Sequence, residues 1–541
     1  MIIFENFPFF LIKFILFYLF FFFSGRSLII LSLRSKFNDF SKCSGFNIYI
    51  FYPIIGIFLF GNFLFISNFL TPINTNQIFI FLLFLFPNLI YKPKFIFLRK
   101  ALRNFPIYIL LIFSSYDVNF HYDSGLYHLG YQALLRESKI IFGMSNIYGP
   151  YGIGSIYEYI SSALWFDKSF ILLHFVNIIF IILFYDFLLS LLFTKSSNIL
   201  NASGLAILIY SLLDNFGLNG GRNGFLYIQG VGKQDIAVAV LFFISTILIF
   251  QNFQNINNIL FLDFFILTIF TLFTIQLKIS GIPIALLYVY FLFKVSSKKN
   301  FKYNILLKLV PIYIIGFFWL IKSFIQTGCF IYPLESSCIN SVAWYSQKYT
   351  KVSLESAQMF SISYNFNSPL NIWFNQFINY EINKTILVNF LASTILIYFI
   401  FFKHTKLNTI YNIKPILYFL IFNIFFYLYF GAHLRYLIPI QLLVIFLIGI
   451  NRVSRIKINN LAIYFLAILS VFTLVRLNSY KSFDFFSQPN LEIPETNVIS
   501  YNSRFLPQEG DQCWIITNCS PNLENYVVEY FANYKIVKLE K

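Results

Sequence analysis

Between Tyr116 and His128 the chain reads Tyr-Asp-Val-Asn-Phe-His-Tyr-Asp-Ser-Gly-Leu-Tyr-His. Asp117, Asp123, His121 and His128 fall within twelve residues, in a protein with five histidines in all. A carboxylate there could be a general base or a ligand for a divalent metal. His128 could carry a proton beside it. The plainer alternative is that Asp123 caps a helix and Asp117 is solvated at the end of an apolar segment. Leu126, Leu129, Ala133 and Leu134 recur at helical spacing, so the stretch predicts an amphipathic helix lying at a membrane surface, with the acidic cluster at its start.

Four cations could serve that cluster: Arg222, Lys233, Lys278 in Gln-Leu-Lys-Ile-Ser-Gly, and Arg435 in Gly-Ala-His-Leu-Arg-Tyr. A cation placed among apolar residues costs about 2.5–3.5 kcal/mol at a helix centre, and it calls for an anionic partner. Phosphate is a natural one, through charge-assisted hydrogen bonds. The bland reading of Arg222 and Lys233 is a solvated loop, with Asp235 pairing to Lys233. The segment Gly143–Gly154, rich in Gly, Pro and aromatics, predicts tight turns that could shape a carbohydrate- or lipid-facing pocket or form a plain loop. The stretch from Trp319 to Pro333, followed by Trp344 and Tyr345, could be a lid or a structural plug.

The elements that must hold these residues are apolar helices. The chain is 58% hydrophobic and 11% charged, against about 25% charged in soluble domains. Phe, Tyr, Ile, Asn and Lys share AT-rich codons, so the 75 Phe residues carry no functional weight. Apolar runs near spanning length lie at about 8–24, 48–70, 76–91, 104–116, 169–193, 200–213, 235–251, 259–276, 280–297, 305–325, 385–402, 415–431, 436–451 and 460–477. The fold expected is an all-α polytopic membrane protein of about 13–14 transmembrane helices. The first run has an acidic flank, Glu5, and no small-residue cleavage site before Arg26, which predicts a retained span rather than a signal peptide.

The net charge of +17 reflects topology rather than nucleic acid binding. Arg26, Arg34, Lys36 and Lys42; Lys92, Lys94, Arg99, Lys100 and Arg103; Lys294, Lys298, Lys299, Lys302 and Lys308; Lys403, Lys406 and Lys414; and Arg452, Arg455 and Lys457 fill alternate connections. With fourteen spans they all fall on one side, the cytoplasmic one. The long segments at about 117–168 and 326–384 and the tail 478–541 then lie on the other, extracytoplasmic side. No cytoplasmic connection is long enough for a soluble domain, and there is no P-loop motif. In an oxidising compartment Cys513 with Cys519, and Cys329 with Cys338, could each close a small loop; four separate thiols, or a bond from Cys329 to a tail cysteine, are the alternatives. Cys43 should be free. No zinc-type cysteine spacing occurs.

An acidic residue outside an apolar span, then an interfacial helix and many spans, resembles the GT-C class of membrane glycosyltransferases. Asp123-Ser-Gly-Leu-Tyr-His128 is similar to the D-x-x-x-Y-H signature of bacterial membrane proteins allied to that class, as are Gly328-Cys-Phe-Ile-Tyr-Pro333 and Gln512-Cys-Trp with Cys519. The matches are short and scattered over about 117–519. The resemblance implies a core at 104–477, with 1–103 as an N-terminal addition, since three spans precede the one leading to Asp117 where the class places its Asp after the first. It implies a polyprenyl-phosphate sugar donor, a glycan or lipid acceptor in the cell envelope, and location in a bacterial inner (plasma) membrane. Asp123 or Asp117 would activate the acceptor or bind a metal, with His128 beside them, and Lys278, Arg435, Arg222 and Lys233 would hold the lipid phosphate. Two other classes fit the same residues: an O-antigen-type polysaccharide polymerase, and a non-catalytic transporter or scaffold.

Overall fold

The computed structural model of the protein describes residues 6–38, 41–93, 103–166, 169–193, 198–218, 227–232, 234–256, 259–298, 303–358, 369–407, 413–431, 433–450, 452–454, 460–501, 504–517, 519–521 and 525–540. Every one of the fourteen apolar runs is helical. In chain order they include α1 (Phe7–Leu33), α2 (Tyr52–Asn68), α3 (Phe105–Phe113), then α4 (Leu129–Glu137) and α5 (Ile156–Ala163) from the first long segment, α6 (Ile171–Phe193), α7 (Asn198–Asn215), α8 (Asp235–Gln254), α9 (Phe261–Leu277), α10 (Ile282–Ser296), α11 (Asn304–Thr327), α12 (Glu381–His404), α13 (Lys414–Phe430), α14 (Ile438–Ile450) and α15 (Asn460–Leu474). Seven helices are long and apolar enough to cross a bilayer, and six shorter apolar ones accompany them among the described residues. Pro53, Pro106, Pro283 and Pro415 stand in the first turns of α2, α3, α10 and α13. An N–H is dispensable at that place and the fixed φ suits the helix.

The bundle is layered by exposure. Of the most apolar stretch of α6, 94% is buried, against 17% for α11. The outward side chains of α11 are as apolar as its inward ones, with Leu307 68% and Phe317 60% exposed. Such a surface suits hydrocarbon rather than water, and the helices are compatible with an all-helical membrane protein. The N-terminal helices share the central core: Phe10 of α1 meets Phe175 of α6, and Phe65 of α2 meets Trp319 of α11.

Several polar groups inside this apolar body are matched by specific partners. Asp186 in α6 accepts from Asn104 Nδ2 (2.7 Å) and Tyr108 Oη (2.6 Å). Arg26 does not sit in a basic connection. It lies inside α1, 1% exposed, and donates to Asn88 Oδ1 and the Tyr91 carbonyl, both at 2.7 Å. The helix between Leu129 and Glu137 is likewise no surface helix, since every residue from Leu129 to Leu135 is buried. Its polar face turns inward onto other polar side chains, which sequence periodicity cannot distinguish from a face turned to water.

Strands are few and short. β1 (Asn119–Phe120) pairs in parallel with β2 (Gly230–Val231). In the tail, β3 (Val498–Tyr501) pairs with β4 (Arg504–Pro507), and β5 (Tyr526–Phe531) with β6 (Tyr534–Leu539). Both cysteine pairs, Cys329–Cys338 and Cys513–Cys519, are disulfide-bonded, and Cys43 is a buried thiol.

α1 and α2 cross on two glycines. A Cβ on Gly25 would stand 1.9 Å from the Tyr52 carbonyl oxygen, and one on Gly56 would stand 2.0 Å from that of Phe21. Small residues let backbones approach this closely. Gly56→Val should therefore force the helices apart and lower stability by at least the about 1–3 kcal/mol of core over-packing. Gly316→Ala, which meets only the flexible Leu272 side chain at 3.2 Å, should cost less. Thermal unfolding in detergent reads both, and equal melting temperatures for the two variants would contradict the crossing described.

Candidate functional site

The segment bearing Asp123 is pinned from two sides. On one side β1 lies against β2, and the His121 N–H donates to the Val231 carbonyl at 2.9 Å. Ser124 Oγ adds a bond to the same carbonyl at 2.6 Å. Gly232 follows at φ +93°, where a Cβ would stand 2.1 Å from Ser124 Oγ, so only glycine fits. On the other side the tail folds over. Trp514 N–H donates to the Gly125 carbonyl (2.9 Å), Gln512 Nε2 to the Tyr122 carbonyl (3.0 Å) and Tyr122 Oη to Asp511 Oδ2 (2.5 Å). The Trp514 ring packs edge-on to Phe120. The disulfide between Cys513 and Cys519 closes the loop that carries these contacts.

A π turn, Ser124–His128, leads from this clamp into α4. Asp123 precedes the turn, and its side chain makes no capping bond there. Its carboxylate lies 3.4 Å from His121 Nδ1. The same nitrogen lies 3.2 Å from the Asp123 backbone N–H. Unprotonated, it accepts from the backbone; doubly protonated, it pairs with the carboxylate. Burial works against the Asp123 charge. The hydrogen bond and charge of His121, with His128 and Arg435 behind, outweigh burial and hold the carboxyl well below the usual carboxylate range.

His128 turns the other way, into the protein. Its Nδ1 lies 2.5 Å from Glu158 Oε1 on α5. Glu158 is 2% exposed, and it also accepts from Gln234 Nε2 and Gln132 Nε2, each at 2.7 Å. The residue after Gln234 is Asp235, the first residue of α8. Asp235 pairs with Lys278 Nζ at 2.6 Å and faces Arg435 Nε at 4.0 Å. Lys278 lies over the Tyr436 ring, 4.2 Å from its centroid. Arg435 Nη2 donates to Tyr436 Oη at 3.1 Å. Arg435 Nε is buried and lacks a hydrogen-bond partner among the described residues.

Asp123, His128, Lys278 and Arg435 therefore converge from four separate parts of the chain. Asp117 does not join them. It faces Arg476, whose guanidinium lies over Tyr227; burial raises its carboxyl and Arg476 offsets part of the rise. Asp235 pairs with Lys278, 43 residues away. Arg222 and Lys233 lie outside the described residues. Among the described residues no three His, Cys, Asp or Glu side chains are placed to hold a metal ion. Turns Met144–Asn146 and Gly149–Ile153 are largely buried packing, with Tyr332 against Gly152 and Tyr131 against Gly154.

Glu158 was missed by sequence reasoning. Two signals were present: it is the one acid between Glu137 and Asp167, in an aromatic run without a basic neighbour, and Gln132 follows His128 at the i, i+4 spacing of one helix face.

The sequence profile of a family described as "Domain of unknown function (DUF8201)" matches residues 9–442. The chain belongs to this family. Asp123, His128, Glu158, Asp235, Lys278 and Arg435 all fall within the matched span, and the clamping loop 511–514 falls outside it. No curated protein and no solved structure matches the chain.

Two outcomes follow from this geometry. Replacing Cys513 and Cys519 by Ser should free the tail loop and speed amide exchange at residues 120–125 by tenfold or more, while α6 stays protected; unchanged exchange at 120–125 would contradict the clamp. His433, half-buried beside Arg435 and Lys278, has its pKa lowered from 6.5 to about 4, first by desolvation and then by those charges. A depressed histidine binds its proton later in the folded than in the unfolded state, so stability falls as pH drops from about 6.5 towards 4. His433→Gln should flatten the melting temperature across that window, and an unaltered slope would refute the assignment.

Proposed function

We propose that the protein is a membrane transferase resembling the GT-C glycosyltransferases, moving a sugar from a polyprenyl-phosphate donor to a glycan or lipid of the cell envelope on the extracytoplasmic face. The observation that carries this reading is the meeting of the Asp123 carboxylate and His128 with the Arg435 and Lys278 cations, drawn from connections far apart in sequence. Carboxylate and imidazole suit activation of an acceptor hydroxyl. Lys278 and Arg435, whose Nε makes no hydrogen bond among the described residues, suit a phosphate leaving group. Asp235 pairs with both cations and would yield one of them to that phosphate.

The orientation rests on charge and on cysteines. With fourteen spans, the basic connections read from the sequence would fall on one side. Both disulfides belong to segments assigned to the opposite side, and the one thiol, Cys43, to the basic side. An exterior disulfide side fits a donor that is membrane-borne or already outside.

Asp123→Asn should lower transfer at least a hundredfold while the protein still inserts and melts as the parent does. Transfer from a polyprenyl-phosphate sugar by reconstituted protein is the assay, and undiminished transfer would remove Asp123 from the mechanism. The glycan of a deletion strain separates the leading rival: loss of one sugar supports the transferase, and shortened chains built of intact repeat units would make the protein a polymerase instead.

A further inference from the structure

The polar network behind His128 has a direction, and that direction can be read from donor chemistry alone. It begins at Trp165, whose indole Nε1–H can only donate. That N–H meets Gln132 at 2.8 Å, so the Gln132 atom there is its carbonyl Oε1. The Gln132 amide N–H₂ is then turned to Glu158 Oε2 at 2.7 Å. Glu158 Oε1 takes a second amide donor, from Gln234 at 2.7 Å. A carboxylate met by two amide N–H groups in a buried place is stabilised as the anion, which accepts and does not donate. The remaining contact of Oε1 is to His128 Nδ1 at 2.5 Å, and an anionic oxygen can only accept there, so the imidazole donates; the Gln234 amide also stands 3.3 Å from that nitrogen, a longer contact than the 2.7 Å bond it gives Oε1.

An imidazole that gives its Nδ1 proton to a carboxylate presents Nε2 as a base. Among the described residues, His128 Nε2 makes no hydrogen bond and is not among the buried atoms lacking one. The His128 ring lies within electrostatic reach of Asp123, which is itself within reach of Arg435. Asp123 itself is the weaker candidate for taking a proton, because its neighbours favour the anion so strongly. General bases work best when their affinity for the proton is near the operating pH.

We infer that Glu158 is a positioning residue that fixes His128 in its Nδ1–H form, so that His128 Nε2 receives the acceptor's proton while Asp123 steadies the imidazolium. The inference rests on reading this site as a transferase. In that reaction the acceptor O–H proton passes to Nε2, and the oxygen forms the new bond to the anomeric carbon. The bond from that carbon to the donor phosphate oxygen breaks, and the electron pair leaves with the lipid phosphate between Arg435 and Lys278. The proton later departs from Nε2 to solvent.

Solid-state ¹⁵N NMR of the full-length protein in lipid bilayers, labelled at the histidine ring nitrogens, tests this directly. There are five histidines, and loss of a signal in His128→Gln assigns the one required. The wild-type protein should show His128 protonated at Nδ1 and bare at Nε2. Glu158→Leu should raise the Nε2–H form to at least an equal share, and Gln132→Leu, a milder change should the first not fold, should do so in part. A wild-type His128 carrying its proton at Nε2 would overturn the inference, as would an unmoved tautomer in a folded Glu158→Leu protein. No substrate is needed, so these outcomes leave the transferase reading standing; absence of transfer by the wild-type protein would defeat that reading without touching the tautomer.

Discussion

A carboxylate that is 2% exposed among apolar helices dictates much of the surrounding architecture. Removing such a group from water costs several kcal/mol, and that penalty is offset only when each oxygen is met by donors of good geometry. Glu158 is met by three side chains that arrive on separate elements: His128 at the end of a π turn, Gln132 one turn on in α4, and Gln234 just before α8. Satisfying one charge thereby sets the spacing of α4 and α5 and the entry of α8. Asp235 follows Gln234 directly, so the same placement delivers the anion that gathers Lys278 and Arg435.

Charges alternate along the far part of this path. Beyond Glu158 and the imidazole of His128 come Asp123, Arg435, Asp235 and Lys278, each within electrostatic reach of the next. An alternating row limits the net charge left in low dielectric, and each member gains from its neighbours. The clamp from the tail and the short parallel pair at Asn119–Phe120 act on Asp123, which precedes the π turn. A site on a loop needs such support to hold its geometry.

The helices were legible because apolar run length is a direct statement about bilayer thickness, and all fourteen runs proved helical. The two cysteine pairs were among the pairings that spacing left open in the segments assigned to the exterior, and the structure bonds Cys329 to Cys338 and Cys513 to Cys519. Asp123, His128, Lys278 and Arg435 could be singled out by rarity and by cost. What pairing they would adopt could not, because Asp235 finds Lys278 across 43 residues and Glu158 finds Gln234 across 76. The helix after His128 shows the limit of periodicity. Its pattern of Leu129, Ala133 and Leu134 opposite His128 and Gln132 gives one apolar and one polar face, and a polar face is equally satisfied by water or by a buried carboxylate.

The central claim is that Asp123 and Arg435 act in one site. A double-mutant cycle on binding of a polyprenyl phosphate, using Asp123→Asn, Arg435→Gln and the pair, tests it most directly. Residues sharing a site should couple by about 1 kcal/mol or more. Additivity within about 0.5 kcal/mol, the behaviour of independent positions, would contradict the account.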